Sequence, residues 1–295
     1  MKIRKTTPEF FFDLFNVTLM GLLSLLFVYP LLYVVFASFS KPEELVKHAG
    51  LLFHPLGFSI SGYRMVFNTP HISSGYLNTA FYVIAGVAVN MLMSCLGAYV
   101  LSRKQLYIRR FLTLGVVFTM YFSGGLIPFF LVVKDIGLYN SRLALILPTA
   151  IGTWNMIIIR TAISQVPASL EEAARMDGAN DFTILFRVII PVIKSTIAVM
   201  VLFYAVQHWN AWFNAMIFLR DRTKYPLQLF LREILISGSL NNVNTQALSD
   251  DFENVLVLNM IKYCTIVIAT APILCIYPFL QKYFAKGVLI GSVKE

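Results

Sequence analysis

A chain of 295 residues that is 58% hydrophobic and 13% charged, with mean hydropathy +0.71, is not a soluble globular domain but a polytopic membrane protein. The net charge of +9 does not point to nucleic acid, because the 24 Lys and Arg are spread among loops instead of gathering on one face. Cys95, Cys264 and Cys275 lie in apolar segments without a CxxC pairing, which argues against zinc or a disulfide framework and predicts small core residues.

No internal repeat or low-complexity tract divides the chain, so residues 1–295 are expected to form one all-α membrane domain with six transmembrane helices. A basic start, Lys2, Arg4 and Lys5, precedes the charge-free run Leu14–Ser40. This first span (14–40) is longer than the core of a cleaved signal peptide, so it reads as a retained helix, kinked at Pro30. The mixed stretch 41–76 holds His48, His54 and His71, whose spacing matches no metal-ligand set and reads as solvated loop histidines. The second span is placed at about 78–101, within the longer charge-free run Met65–Ser102.

Arg103, Lys104, Arg109 and Arg110 form a basic turn before the third span (111–133), which Ser123, Gly124, Gly125 and Pro128 interrupt. Broken backbone at membrane depth lies beside a watery pathway or is buried by close helix packing, and both readings stand. The fourth span (143–161) carries Trp154 and Asn155. The fifth (192–214) ends in Gln207, His208, Trp209, Asn210, Trp212 and Asn214. A long loop (215–253) with Arg220, Arg222, Lys224 and Arg232 leads to the last span (254–281), in which Lys262 is the one charge.

Six spans put both termini on one side. With the two tails included, that side holds 14 Lys and Arg (three before the first span, four from Arg103 to Arg110, then Arg160, Arg175, Arg187 and Lys194, and three after the last span) against 9 in the longer loops opposite, Lys262 left out, so the positive-inside bias makes it cytoplasmic.

Between the fourth and fifth spans lies a polar stretch, Pro167–Pro191, the most informative in the chain. Pro167 suits the first position of a helix and Gly178 the residue past its end. Glu171 and Glu172 fall in the half favoured by the helix dipole, while Leu170, Ala173, Ala174 and Asp177 share a face. Asn180 or Asp181 can cap a second helix carrying Phe182, Leu185 and Phe186.

This stretch resembles the cytoplasmic EAA loop of ABC-importer permeases: Glu172-Ala173-Ala174, then Gly178, then Val188-Ile189-Ile190-Pro191 in place of Ile-x-Leu-Pro. Trp209-Asn210, Tyr225-Pro226-Leu227 and the tail Gln281–Lys294 are similar to the carbohydrate-uptake branch, with Glu295 where that tail often has Gly. The resemblance implies the type I importer permease fold in a bacterial inner membrane, with both termini cytoplasmic. It implies as partners a second homologous permease, an ATPase dimer that binds ATP and Mg, an extracytoplasmic solute-binding protein and a carbohydrate substrate. That substrate is expected to be an oligosaccharide, with an acidic polysaccharide fragment as one candidate. The ATPase-coupling residues it implies are Ser169, Glu171, Glu172, Ala173, Ala174, Arg175, Met176, Asp177, Gly178 and Ala179, with Glu172 pairing to a basic residue of the ATPase.

The chain has no GxxxxGK[ST] loop, so it is expected to bind no cofactor and to leave hydrolysis to that partner. Sugars are bound by aromatic faces and planar amides, and Gln207, Trp209, Asn210, Trp212 and Asn214 supply both; an interfacial aromatic belt would use the same residues. Asn90, Tyr121, Asn155 and Asn259 are candidates for the pathway or for interhelical hydrogen bonds. Lys262 could attract an acidic sugar, snorkel to the interface or pair with a carboxylate of the partner permease. The rival readings are an amino-acid or peptide permease of the same superfamily, a membrane-embedded enzyme and a secondary transporter. For the last two, the chain lacks HExxH, GxSxG and an acid within a span.

Overall fold

The structure is a computed structural model that describes residues 7–48, 50–68, 72–244, 260–275 and 278. In chain order its helices are α1 (Thr7–Ser38), α2 (Pro42–Lys47), α3 (Ser61–Asn68), α4 (Ile72–Ser102), α5 (Arg109–Tyr121), α6 (Leu126–Asp135) and α7 (Thr153–Ser164). They continue with α8 (Ala168–Met176), α9 (Asp181–Thr183), a π turn (Ile184–Ile189), α10 (Ile190–Val192), α11 (Lys194–Trp209), α12 (Phe213–Phe218), α13 (Leu227–Asn244) and α14 (Met260–Cys275). Single 3-10 turns occupy Arg142–Leu145, Leu147–Thr149 and Arg222–Lys224.

Among the described residues, α1 and α4 are each long and apolar enough to cross a membrane. Three bent pairs meet the same standard when each is taken as one span: α5 with α6 at 115°, the turns from Arg142 with α7 at 48°, and Asp181–Val192 with α11 at 92°. α14 is a shorter apolar helix, and most of the remainder of the expected last span, Asn259 included, lies outside the described residues.

Several boundaries differ from the sequence reading for physical reasons. α4 begins at Ile72 instead of 78, because its added turns are held by tertiary contacts: Ile72 and Gly75 are buried, and Gly75 lies close against Leu227 and Phe230. The third span breaks where Gly125 takes φ +90°, a conformation that only glycine adopts freely. The fourth starts as two 3-10 turns, Arg142–Leu145 and Leu147–Thr149, the second holding Pro148, which lacks an N–H, and the fifth bends before Lys194. The segment read as a long loop from 215 carries α12 and α13, since Leu227, Leu229, Phe230 and Leu231 bury their side chains. Cys95 and Cys264 are buried as expected, whereas Cys275 is exposed.

The chain divides into two compact units, Met1–Pro70 with Glu233–Thr270 and His71–Arg232 with Ala271–Glu295. In the first, Ala37, Leu45 and Leu52 form a core with Tyr33 and Tyr263 packed against it. Ser38 there meets the Tyr63 hydroxyl at 2.7 Å, and the Cys264 thiol donates to the Ser38 carbonyl. The most apolar stretch of α1 has no buried residue, so lipid or another subunit must cover it.

In the second unit α4 packs along both α7 and α11. Its core gathers Cys95, Ala98 and Tyr99 from α4, Met156, Ile159 and Ile163 from α7, and Ile184, Leu185 and Ile189 from the π turn. Without a hydrophobic driving force between lipid-immersed helices, close approach at small residues and interhelical hydrogen bonds must hold them. Both are present. The His208 ring occupies the space a side chain at Gly86 would need, and the Tyr204 hydroxyl does the same at Gly152. Ser94 and Tyr204 share a 2.6 Å hydrogen bond, and Tyr204 also accepts from the Gly152 N–H at 3.1 Å.

Candidate functional site

Local chemistry defines α8 at both ends. Pro167 is the residue before the helix and not its first member as expected, with φ −57° and ψ 132°. At the other end Gly178 adopts φ +78°, its N–H donating to the Arg175 carbonyl (3.0 Å) while the Ala179 N–H reaches back to Ala174 (2.9 Å). These are the two bonds of a Schellman terminus, and they satisfy carbonyls that the helix end leaves open. Asn180 then caps the next helix, its side chain accepting from the Thr183 N–H at 2.8 Å. Ahead of Pro191 the backbone widens into the π turn, one of the few ways a helix absorbs an interruption.

No residue of α8 is buried, and Met176 is 88% exposed. The two glutamates diverge. Glu171 is bound by Arg103, whose guanidinium lies 3.8 Å from the Tyr99 ring centroid, while Glu172 is exposed and has no ion pair among the described residues. The Tyr99 hydroxyl donates to Asp181 (3.1 Å), and so does Arg175 (2.6 Å). The end of α4, α8 and α9 are thereby joined through charged side chains. From the sequence, Glu171 and Arg175 are expected among the ATPase-coupling residues, and nothing there singles out Tyr99, Arg103 or Asp181 as their partners. Its one available signal was the i, i+4 spacing of Tyr99 and Arg103 at the end of an apolar run.

A second feature forms where α11 turns into α12. A cavity of about 250 Å³ is lined by Gln207, Asn210, Trp212 and Asn214 together with Thr149 and His208. Four of the expected pathway residues thus meet at one place. Trp209 turns instead toward Tyr76, with ring centroids 6.4 Å apart. Asn90 is fully buried and tied between helices, donating to the Thr149 carbonyl (2.5 Å) and meeting the His208 ring nitrogen (2.7 Å). Of the two readings offered for Asn90, the interhelical one is what these bonds describe. Asn155 is buried on α7 away from the cavity lining, Tyr121 is 84% exposed at the end of α5, Lys262 is half-buried on α14 in the other unit, and Asn259 lies outside the described residues.

Arg232, read from sequence as a loop cation, stacks on Trp212 at 3.9 Å from the ring centroid. Below α12, Asn140 takes the positive φ of 58° and accepts from the N–H groups of Arg220 and Asp221, while Lys224 donates to its carbonyl at 2.8 Å. This clamp fixes the start of the segment that carries Arg232.

α8 is thus an exposed, sharply ended helix, joined by charge to the end of α4 and by a π turn to α11. The sequence matches over residues 4–290 the family described as binding-protein-dependent transport system inner membrane component. The chain belongs to that family. It is therefore a transport component of the inner membrane and not an enzyme. It has relatives in Bacillus subtilis. It is 44% identical to the polygalacturonan/rhamnogalacturonan transport system permease protein YtcP, over 95% of this chain and 98% of that one. It is 40% identical to protein LplC, over 96% and 95%. The crystal structure of a bacterial ABC transporter involved in the import of the acidic polysaccharide alginate superposes on this fold with a TM-score of 0.86, at 32% identity, covering 96% of this chain and 100% of the matched chain. The fold is that of a type I importer permease.

Proposed function

We propose that this permease forms half of the translocation pathway of an ATP-driven importer for acidic oligosaccharides released from polysaccharides. The observation that carries the reading is the 44% identity, over nearly the whole of both chains, to a permease named for polygalacturonan and rhamnogalacturonan. The second half of the pathway is a homologous permease, and an extracytoplasmic solute-binding protein delivers the sugar. An ATPase dimer holds ATP and Mg on the cytoplasmic side, where both termini and α8 also lie.

Glu172, Met176 and the small face of Ala173 meet that ATPase, because they are exposed on a helix with no buried residue and carry no ion pair to their own chain among the described residues. Closure of the ATPase around ATP displaces α8. The displacement passes to α4 through Glu171 and Arg103, and to α11 through the Asn180 cap and the π turn. Because α4 and α11 are fastened to each other by Asn90 and His208, they move as a pair, and the cavity lined by Gln207, Asn210, Trp212 and Asn214 changes shape with them. ATP and sugar each favour one of two states through the contacts they gain there.

The test is ATP hydrolysis by the four-subunit complex in proteoliposomes, with binding protein loaded with trigalacturonate or with a neutral trisaccharide. Stimulation by the uronate and not by the neutral sugar is expected. Equal stimulation by both removes the acidic specificity, and solute accumulation without ATP removes the whole reading.

A further inference from the structure

Beside α8 lies a cavity of about 340 Å³ whose cations Lys104 and Arg109 have no part in the coupling proposed above. Its walls are the turn after α4, the end of α7 and the outer side of α8, and its charged lining is Arg103, Lys104, Arg109, Arg175, Glu171 and Glu172. Four cations face two carboxylates, and the internal pairing is lopsided. Glu171 is taken by Arg103, and Arg175 is drawn to Asp181. Lys104 and Arg109 have no ion pair among the described residues. On Arg103, Nε and Nη2 are buried without an acceptor, so its positive charge is only partly met by Glu171.

We propose that this cavity binds a phosphate-bearing anion, and that in the membrane the anion is the headgroup of an acidic phospholipid. Two features favour that chemistry over a protein carboxylate. Arg103 directly follows α4, a membrane-length helix, so the cations stand at headgroup depth, where basic pockets between spans take up lipid phosphate. Ile163 and Val166 also line the cavity and give it an apolar edge, which suits the glycerol and acyl carbons behind a phosphate. Bound phosphate would bridge Lys104 and Arg109 next to the Arg103 and Glu171 pair, and so hold α8 against the end of α4. The site stands whether or not α8 docks an ATPase, because binding can be read without transport.

The experiment is native mass spectrometry of the purified complex, counting retained phosphatidylglycerol and phosphatidylcholine in the wild type and in a Lys104→Gln, Arg109→Gln double variant. Removing two surface cations is expected to lower phosphatidylglycerol retention about thirtyfold and leave phosphatidylcholine unchanged. Millimolar inorganic phosphate added to the wild type separates the sources. Displacement of the lipid means the phosphate group alone is read, and persistence means the membrane-anchored headgroup is read; each supports the site when the double variant has lost its lipid. Equal phosphatidylglycerol retention by the two proteins overturns the proposal. So does a double variant that keeps its lipid but loses the ATPase on purification, since that result gives the two cations to a protein partner.

Discussion

Glu171 and Arg103 are 68 residues apart and form an ion pair in which both side chains are about four-fifths covered, at 18% and 22% exposure. Its neighbour Glu172 stays in solvent, so two adjacent identical side chains differ in their surroundings: one fastens α8 to its own chain, and the other is exposed, as the proposed contact with the ATPase requires. Glu171→Gln should lower the unfolding free energy of the purified complex by about 1–2 kcal/mol, by weakening a charged hydrogen bond to a largely buried guanidinium. Glu172→Gln should leave the melting temperature unchanged and reduce sugar-stimulated ATP hydrolysis. A Glu172→Gln complex with full stimulation would show that the exposed carboxylate has no part in coupling.

Gly178 carries the second expectation. At φ +78° a β-branched side chain costs about 1–2 kcal/mol, and the Schellman bonds to Ala174 and Arg175 depend on that conformation. Gly178→Val should insert into the membrane at normal levels yet hydrolyse ATP without response to loaded binding protein. Gly178→Asn, which tolerates the left-handed region, should recover most of the response. Hydrolysis and uptake measured on the same vesicles decide it.

Gly86 and His208 form a steric pair that can be tested on its own. A methyl group at Gly86 would run into the His208 ring, so Gly86→Ala should cost about 1–3 kcal/mol through overpacking. Adding His208→Ala should return much of that loss, because the ring that collides is gone. Thermal unfolding of the three variants gives the coupling between them, and additive losses would contradict the packing described.

The cavity at the α11–α12 corner predicts a loss of uptake without a loss of assembly. Replacing both Asn210 and Asn214 by Ala removes two planar amides from its lining and should slow sugar uptake by about tenfold, the worth of one or two hydrogen bonds. Basal hydrolysis should stay as it was. Unchanged uptake would mean that sugar passes elsewhere.

Asp221 gives a pH dependence whose direction follows from its partners. The Thr223 hydroxyl (2.7 Å) and N–H (3.0 Å) both donate to the carboxylate and, with Lys224 nearby, hold its pKa below the ordinary 3.8. A depressed carboxylate pKa stabilises the fold above the unfolded value, and that contribution fades as pH drops from about 3.8 through the lower folded value. Amide exchange at Thr223 and Tyr225, corrected for intrinsic rates, should therefore accelerate across that interval in the wild type and stay flat in Asp221→Asn.

What the sequence determined by itself was whatever a few consecutive residues decide. Apolar runs marked the long helices α1 and α4, Gly124 and Gly125 marked the break between α5 and α6, Gly178 marked the end of α8, and Asn180 or Asp181 marked the cap that follows, which is Asn180. Each depends on covalent geometry and hydrogen bonds within about one helical turn, so no distant partner was needed to read it. The tertiary structure alone decided the role of each polar residue within a span. Asn90 fastens α4 to its neighbours while Asn210 and Asn214 line a cavity, and Glu171 found Arg103 while Glu172 did not. The reason is rotational. A span that is apolar all round carries almost no signal for which side faces another helix, so the azimuth of each side chain is set only when α4, α7 and α11 pack and their small residues choose where they touch.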